Sequence, residues 1–492
     1  MKNQNSLKEA FSFSVINYIG IIIGVFSTLI IYPKNKEIIG IFRYVEGLAH
    51  ILYPVFVLGT SQALVNYYPK LNFYFRRRLF IYSIISIAVL SGIALLVVTI
   101  IYFIPFFNAT MYLYYAFPIA VFLAYIELLK KKASIVQKIT VPTFYDNIIP
   151  KIALPILFLI VYKKMVPMHY SLLLYIASYG MIVGLIAIYL RNYLVSISNF
   201  NYKELFVAVD RKNYYKFCLF AFTGSLGSVF AFRIDSIMIP SFLSMVDNGT
   251  FSIGVTLASA LAIPATAVFT LYAPIISKLI KEEKFTELNL KYKQTASLLF
   301  FIGMVLFSCI CIGIFDLFSL LPTATNLMAS APIILILGLN VLINMGTGFS
   351  SEIITYSQYY KFNLIAILIL ITLNISLNIV FLHFLHLGLF SVAIASLISM
   401  VTFNVAKMGF IYKKFGLFPF DIHFLKLVTT TLTIGIVVYF LPSLHVVLFT
   451  LLYKISLCLL LNLIIVYKLN VVEQYSVWVK NLIKKTSPLK KM

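Results

Sequence analysis

About fourteen apolar stretches, each long enough to cross a lipid bilayer, divide this 492-residue chain. A transmembrane helix needs roughly 20 mainly apolar residues. The stretches are 12–32, 38–60, 79–103, 111–129, 143–162, 170–190, 214–240, 250–274, 295–315, 328–352, 362–383, 388–411, 424–441 and 444–467. Inside hydrocarbon every backbone polar group must find a partner, which leaves helices and closed barrels. Barrel strands would be about 10 residues long and alternate in polarity, a pattern absent here. The expectation is an all-α membrane protein of about 14 transmembrane helices.

The charges fix an orientation. Lys and Arg number 39 against 16 Asp and Glu, a formal net charge of +23. Of the 39, 30 fall in alternate loops and at the termini, in runs such as Arg76-Arg77-Arg78 and Lys130-Lys131-Lys132. The opposite loops hold only Lys34, Lys36, Lys163 and Lys164, and Arg43, Lys151, Arg233, Lys407 and Lys454 fall within spans. Basic residues stay on the cytoplasmic side, so both termini are expected in the cytoplasm of a multi-pass protein of the cell inner membrane. In a soluble chain this excess would point to nucleic acid. In short loops it is topology, and no nucleic-acid partner is expected.

Other bounds follow. Glu9 precedes a long apolar run with no small-residue cleavage site, so the first stretch reads as a retained span. Cys218, Cys309, Cys311 and Cys458 lie in apolar runs without a C-x-x-C pair, so no disulfide, metal or cofactor is expected. The largest hydrophilic segments, 191–213 and 275–294, are too short for a domain.

An internal echo joins the two halves at an offset near 207–209. Pro33 answers Pro240, and Gly40-Ile-Phe42 with Leu48-Ala49 answers Gly249-Thr-Phe251 with Leu257-Ala258. Six spans restore the starting orientation, so this is a parallel repeat. Beyond the last span, Val471, Val472, Tyr475, Trp478, Val479 and Leu482 follow helical spacing, with Glu473, Lys480, Lys484 and Lys485 off that face. The segment 471–485 reads either as an interfacial helix drawn to anionic lipid or as a basic tail serving topology alone.

Ionisable residues within spans cost about 2.5–3.5 kcal/mol at the bilayer centre on insertion scales, and so mark cavities or pairs. Arg43 and Glu46 stand three apart on the second span, near Gly47, His50 and Pro54. Arg43 reads as a cation facing water and an anionic substrate, or as half of a self-neutralising pair with Glu46. Arg233 and Asp235 lie two apart in the seventh span, on diverging faces. Lys151 follows Pro150 in the fifth span, and Glu352 ends the tenth. Lys407 lies in the twelfth, close enough to the span end to reach the headgroups. Asn374 and Asn378 are four apart on the eleventh span. They would line a sugar-compatible cavity or, more commonly, hydrogen-bond between helices. Gly20-x-x-x-Gly24 and Gly180-x-x-x-Gly184 read as packing motifs. There is no P-loop, no G-x-S-x-G and no H-E-x-x-H, so the chain reads as a transporter and not an enzyme.

Three segments carry a resemblance. IIGIFRYVEGLAHILYPVFVLGTSQALVNYYPK at 38–70 with the following Arg76-Arg77-Arg78, FRIDSIMIP at 232–240, and Gly249 to Pro274 with its Pro264 are similar to bacterial polysaccharide-export flippases. These belong to the multidrug/oligosaccharidyl-lipid/polysaccharide exporter superfamily. The resemblance runs the length of the chain, although its motifs are diffuse. It implies two six-helix lobes, 1–200 and 201–412, around a cavity, then spans thirteen and fourteen over 413–470 and a basic tail 471–492. It implies a polyprenyl-diphosphate-linked oligosaccharide as substrate, membrane lipids and polysaccharide-assembly proteins as partners, and Arg43 and Arg233 as holders of the diphosphate. The implied substrate-binding set is Arg43, Arg233, Glu46, Asp235, Lys151, Asn374 and Asn378, with alternating access by rocking lobes. Related drug antiporters often carry an acidic residue in the first span, where this chain offers Asn17. A cation-coupled small-molecule antiporter and a membrane-embedded glycan polymerase are the rival readings.

Overall fold

The computed structural model describes residues 19–102, 111–193 and 202–486. Asn17, the start of the first expected span and the last residues of the tail lie outside them. The elements are α1 (Ile19–Lys34), α2 (Lys36–Val57), α3 (Thr60–Tyr67), α4 (Phe73–Tyr102), α5 (Tyr112–Ile135), α6 (Thr140–Tyr162) and α7 (Met168–Leu190). There follow α8 (Tyr202–Ala208), α9 (Arg211–Arg233), α10 (Asp235–Phe242), α11 (Met245–Ser259), α12 (Ile263–Lys281), α13 (Phe285–Ser319) and α14 (Ala324–Met328). The last are α15 (Ala331–Gly346), α16 (Ser350–Tyr356), α17 (Tyr360–Ile379), α18 (Leu389–Phe415), α19 (Ile422–Tyr439), α20 (Val447–Leu469) and α21 (Glu473–Thr486).

The fold is all-helical, with no strand among the described residues. Among the described residues eleven helices are long and apolar enough to cross a membrane, or twelve if the bent pair α15–α16 is one span. The expected count of fourteen is larger for two local reasons. The first span is described only from residue 19 and gives a shorter apolar helix. The seventh, 214–240, breaks at Ile234 between α9 and α10, and Arg233 and Asp235 flank the break.

By contacts the chain divides into two compact units, residues 1–252 and 253–492. Within lipid there is no hydrophobic drive to join helices, so small residues and hydrogen bonds do that work. The first unit shows it where α2 meets the start of α11. A Cβ on Gly40 would overlap the carbonyl oxygen of Met245, and one on Gly249 would overlap that of Lys36. Gly40 and Gly249 are 209 positions apart, as are Lys36 and Met245. The two echo segments therefore cross each other in a twofold-like way, which gives the sequence repeat a physical counterpart. Asn248 Nδ2 donates to the Gly40 carbonyl at 2.8 Å and ties the crossing.

α2 begins sharply because the Asn35 side chain accepts from the backbone N–H groups of Glu37 and Ile38, at 3.0 and 3.2 Å. It satisfies two of the donors that a helix start leaves unpaired. Asn35→Ala should cost about 0.5–2 kcal/mol, and hydrogen exchange should quicken over residues 36–40 before the rest of the helix.

In the second unit α13 packs on α15, α19 and α20. The tail is helical from Glu473, against an expectation of 471–485, and its root is anchored. Val471 and Val472 are buried with Phe301, Val305, Leu427 and Val466. Gln294 Nε2 donates to Glu473 at 2.8 Å, and Tyr475 Oη to the Leu463 carbonyl at 3.2 Å.

Candidate functional site

The first unit gathers its span charges around Glu46. Arg43 and Glu46 are three apart on α2, which places them on one face, and Arg43 Nη1 reaches Glu46 Oε2 at 2.7 Å. Arg233, at the last turn of α9, brings Nη2 to within 3.8 Å of Glu46 Oε1. The approach depends on Gly47. A Cβ there would stand 3.1 Å from the Ser236 side chain and 3.9 Å from the Arg233 carbonyl, so the α9–α10 joint lies directly against α2. Glu46 thus carries one guanidinium on each carboxylate oxygen.

The side chains of Arg43, Arg233 and Glu46 are 22%, 35% and 11% exposed. They are drawn largely away from solvent yet are not closed in. Two cations on one anion leave a positive excess within this trio. Lys151 on α6 lies within electrostatic range of Arg43, Asp146 and Glu46. Its ammonium has room because residue 20 is glycine: a Cβ on Gly20 would come 2.8 Å from Lys151 Nζ. Gly20 therefore accommodates a lysine, where the sequence suggested a helix-packing motif. Gly180 does pack, against the Phe122 ring.

A histidine and aromatic rings complete the surroundings. His50 Nδ1 donates to the Glu46 carbonyl at 2.8 Å, fixing the imidazole against its own helix. Phe42 meets the buried Tyr175 ring edge-on at 5.3 Å, and Tyr175 meets Tyr179 in the same way at 5.3 Å. The two tyrosines stand one turn apart on α7, and the electrostatic field of Arg43 reaches Tyr175. Their spacing on an otherwise apolar span was the available signal, and sequence reasoning passed over it.

The other expected residues lie elsewhere or serve locally. Asp235 opens α10, where a carboxylate is favourable to the helix N-terminus. Asn374 and Asn378 belong to the second unit. Asn378 Nδ2 donates to Asn374 Oδ1 at 2.9 Å, and Asn374 Nδ2 to Ser396 Oγ on α18 at 3.1 Å. Both are buried in the α17–α18 contact, the interhelical role weighed from sequence. Lys407 does not reach toward headgroups: it is 1% exposed and bonded inward to Ser351. Among the described residues no group of three or more His, Cys, Asp or Glu side chains could hold a metal ion.

No protein-family model matches the sequence, and no curated protein matches it. Solved structures do. One is the lipid II flippase MurJ in an inward closed conformation, with a TM-score of 0.66 at 17% identity over 96% of this chain and 99% of that one. A second is a multidrug resistance MATE family transporter of the MOP superfamily, inward-facing, with a TM-score of 0.60 at 13% identity over 82% and 94%. A third is a MOP superfamily transporter from Pyrococcus furiosus Vc1, described as having a binding pocket of reverse polarity, at 0.56 and 13% over 83% and 96%. The chain therefore has the all-helical fold seen in MurJ and the MATE transporters.

Proposed function

We propose that this chain is a flippase that carries a polyprenyl-diphosphate-linked oligosaccharide from the inner to the outer leaflet of the cytoplasmic membrane for polysaccharide biosynthesis. The observation that carries the reading is the convergence of Arg43 and Arg233 on the single carboxylate of Glu46, with Lys151 in range. A diphosphate offers several acceptor oxygens to guanidinium forks, and such charge-assisted bonds are roughly twice as strong as neutral ones. Glu46 holds both arginines in place before the ligand arrives, which lowers the ordering cost of binding. An incoming diphosphate then competes with Glu46 for donors already positioned. The prenyl chain stays in hydrocarbon while the polar head crosses.

The likeness to the lipid II flippase, which covers nearly the whole of both chains, supports a lipid-linked cargo. A cation-coupled drug antiporter shares the fold, but a site with excess positive charge repels a cationic drug. Alternating access, open to one face of the membrane at a time, is the transport scheme proposed.

Cells lacking this protein should accumulate a lipid-linked oligosaccharide on the inner leaflet and lose surface glycan, with drug sensitivity unchanged. Normal glycan display together with raised drug sensitivity would overturn the assignment in favour of the antiporter.

A further inference from the structure

Lys407 is a fully buried lysine in the second unit that the proposed site does not use. α18 presents it where that helix packs against α15, α16 and α17. Lys407 Nζ donates to Ser351 Oγ at 2.8 Å and lies 4.0 Å from the centre of the Phe403 ring. An ammonium has three hydrogens to place, and the ring face takes a second contact. One turn away on α18, Asn404 is 0% exposed, and neither its amide nitrogen nor its oxygen is hydrogen-bonded. The Ser399 hydroxyl, also fully buried, is likewise unsatisfied. A buried carboxamide left wholly unbonded is costly.

Ser351 sits just past a break. α15 and α16 are bent by 51°, and the link between them runs through Gly348 at φ +56°, a left-handed conformation that favours glycine. Phe349 closes the link and is buried against Tyr292 and Tyr272. Glu352, next in the chain to Ser351, lies within electrostatic range of Lys407. The lysine is therefore joined to the short arm of the bent span by one hydrogen bond, to Ser351.

We propose that Lys407 is a proton-binding site whose occupancy sets the bend between α15 and α16. With the proton bound, the ammonium donates to Ser351, attracts Glu352 and holds the short arm against α18. When the proton leaves, the attraction to the half-buried Glu352 carboxylate is lost, which favours an altered bend. The proton is given up to hydroxide as the pH rises, and the unbonded Asn404 side chain lies one turn from the ammonium on the same helix. Few other charges compete. α15 carries no titratable side chain, α16 adds only Tyr356, and α17 contributes Tyr360 and Lys361 in its first turn. On α18 itself Tyr412, Lys413 and Lys414 stand in the last turns, and His383 lies beyond the opposite end. From α13, Tyr292 comes within electrostatic range of Glu352. This proposal does not depend on the cargo assigned above.

The test is a distance measurement on the full chain in lipid nanodiscs, with spin labels at the exposed positions Leu339 and Tyr356 on either side of the break. From neutral to alkaline pH the distance distribution should shift from one population to another. Lys407→Met should stay in the alkaline population at every pH, and Glu352→Gln should reduce the shift. If Lys407→Met fails to fold, Lys407→Arg keeps its charge throughout and should remain in the neutral-pH population. A distribution that ignores pH in the unsubstituted protein, or a pH response that persists in Lys407→Met or Lys407→Arg, would overturn the proposal.

Discussion

Replacing Arg43 or Arg233 by alanine is expected to abolish surface glycan while leaving the protein inserted in the membrane. Each guanidinium supplies charge-assisted hydrogen bonds worth about 1.5–3 kcal/mol. Losing one should weaken headgroup binding by about 10–150-fold, at 1.4 kcal/mol per factor of ten. The two variants differ in their structural cost. Arg43→Ala removes the closer partner of Glu46, at 2.7 Å, and leaves Arg233 at 3.8 Å as the nearest remaining cation of the trio. Truncating one partner of a buried pair can itself cost about 3–5 kcal/mol. Arg43→Ala with Glu46→Gln removes that strain, because no charge is then stranded. The double variant should regain stability but not export. Arg43→Lys keeps the charge and loses the planar fork, so it should restore export only in part. Recovery of export alongside stability in the double variant would mean that Arg43 serves folding alone.

The second large effect concerns the glycine crossing. Alanine at Gly40 or Gly249 places a Cβ on a backbone carbonyl of the facing helix. A backbone atom cannot swing aside as a flexible side chain can, so α2 and α11 must part. Overpacking costs typically about 1–3 kcal/mol, and the upper end or beyond is expected at both positions. The melting temperature of the purified protein in nanodiscs should fall by several degrees for Gly40→Ala, and again for Gly249→Ala. Gly184→Ala is the control, since nothing lies within 4 Å of its Cβ position. Equal melting of all three variants would show that the crossing carries no stability.

The sequence made the membrane architecture legible because hydrocarbon imposes a length and a polarity on every span. The boundaries of α6, α7, α17, α19 and α20 fall within a few residues of expectation. The repeat was legible too, as a glycine echo whose partners turn out to touch. The span breaks were not. Ile234 itself has helical backbone angles, so nothing in its residue type marks the α9–α10 interruption. Arg43–Glu46 could be read from a spacing of three. Arg233–Glu46 could not, because it joins helices almost two hundred residues apart through the close approach at Gly47. Lys407 was misleading for a related reason. Nearness to a span end suggests snorkelling, but only the bend after α15 brings Ser351 to its ammonium. Asn374 and Asn378 were expected in the substrate-binding set on residue type, and within the second unit Asn378 bonds to Asn374 and Asn374 to Ser396.

The central claim is that Arg43 and Arg233 form a seat for a diphosphate headgroup, and binding tests it most directly. Native mass spectrometry of the purified full-length chain, titrated with a polyprenyl diphosphate and with the matching uncharged polyprenol, separates headgroup from tail. Saturable binding of the diphosphate, well above that of the polyprenol and lost in Arg43→Ala/Arg233→Ala, is expected. Equal binding of the two lipids, or diphosphate binding that survives the double substitution, would contradict it.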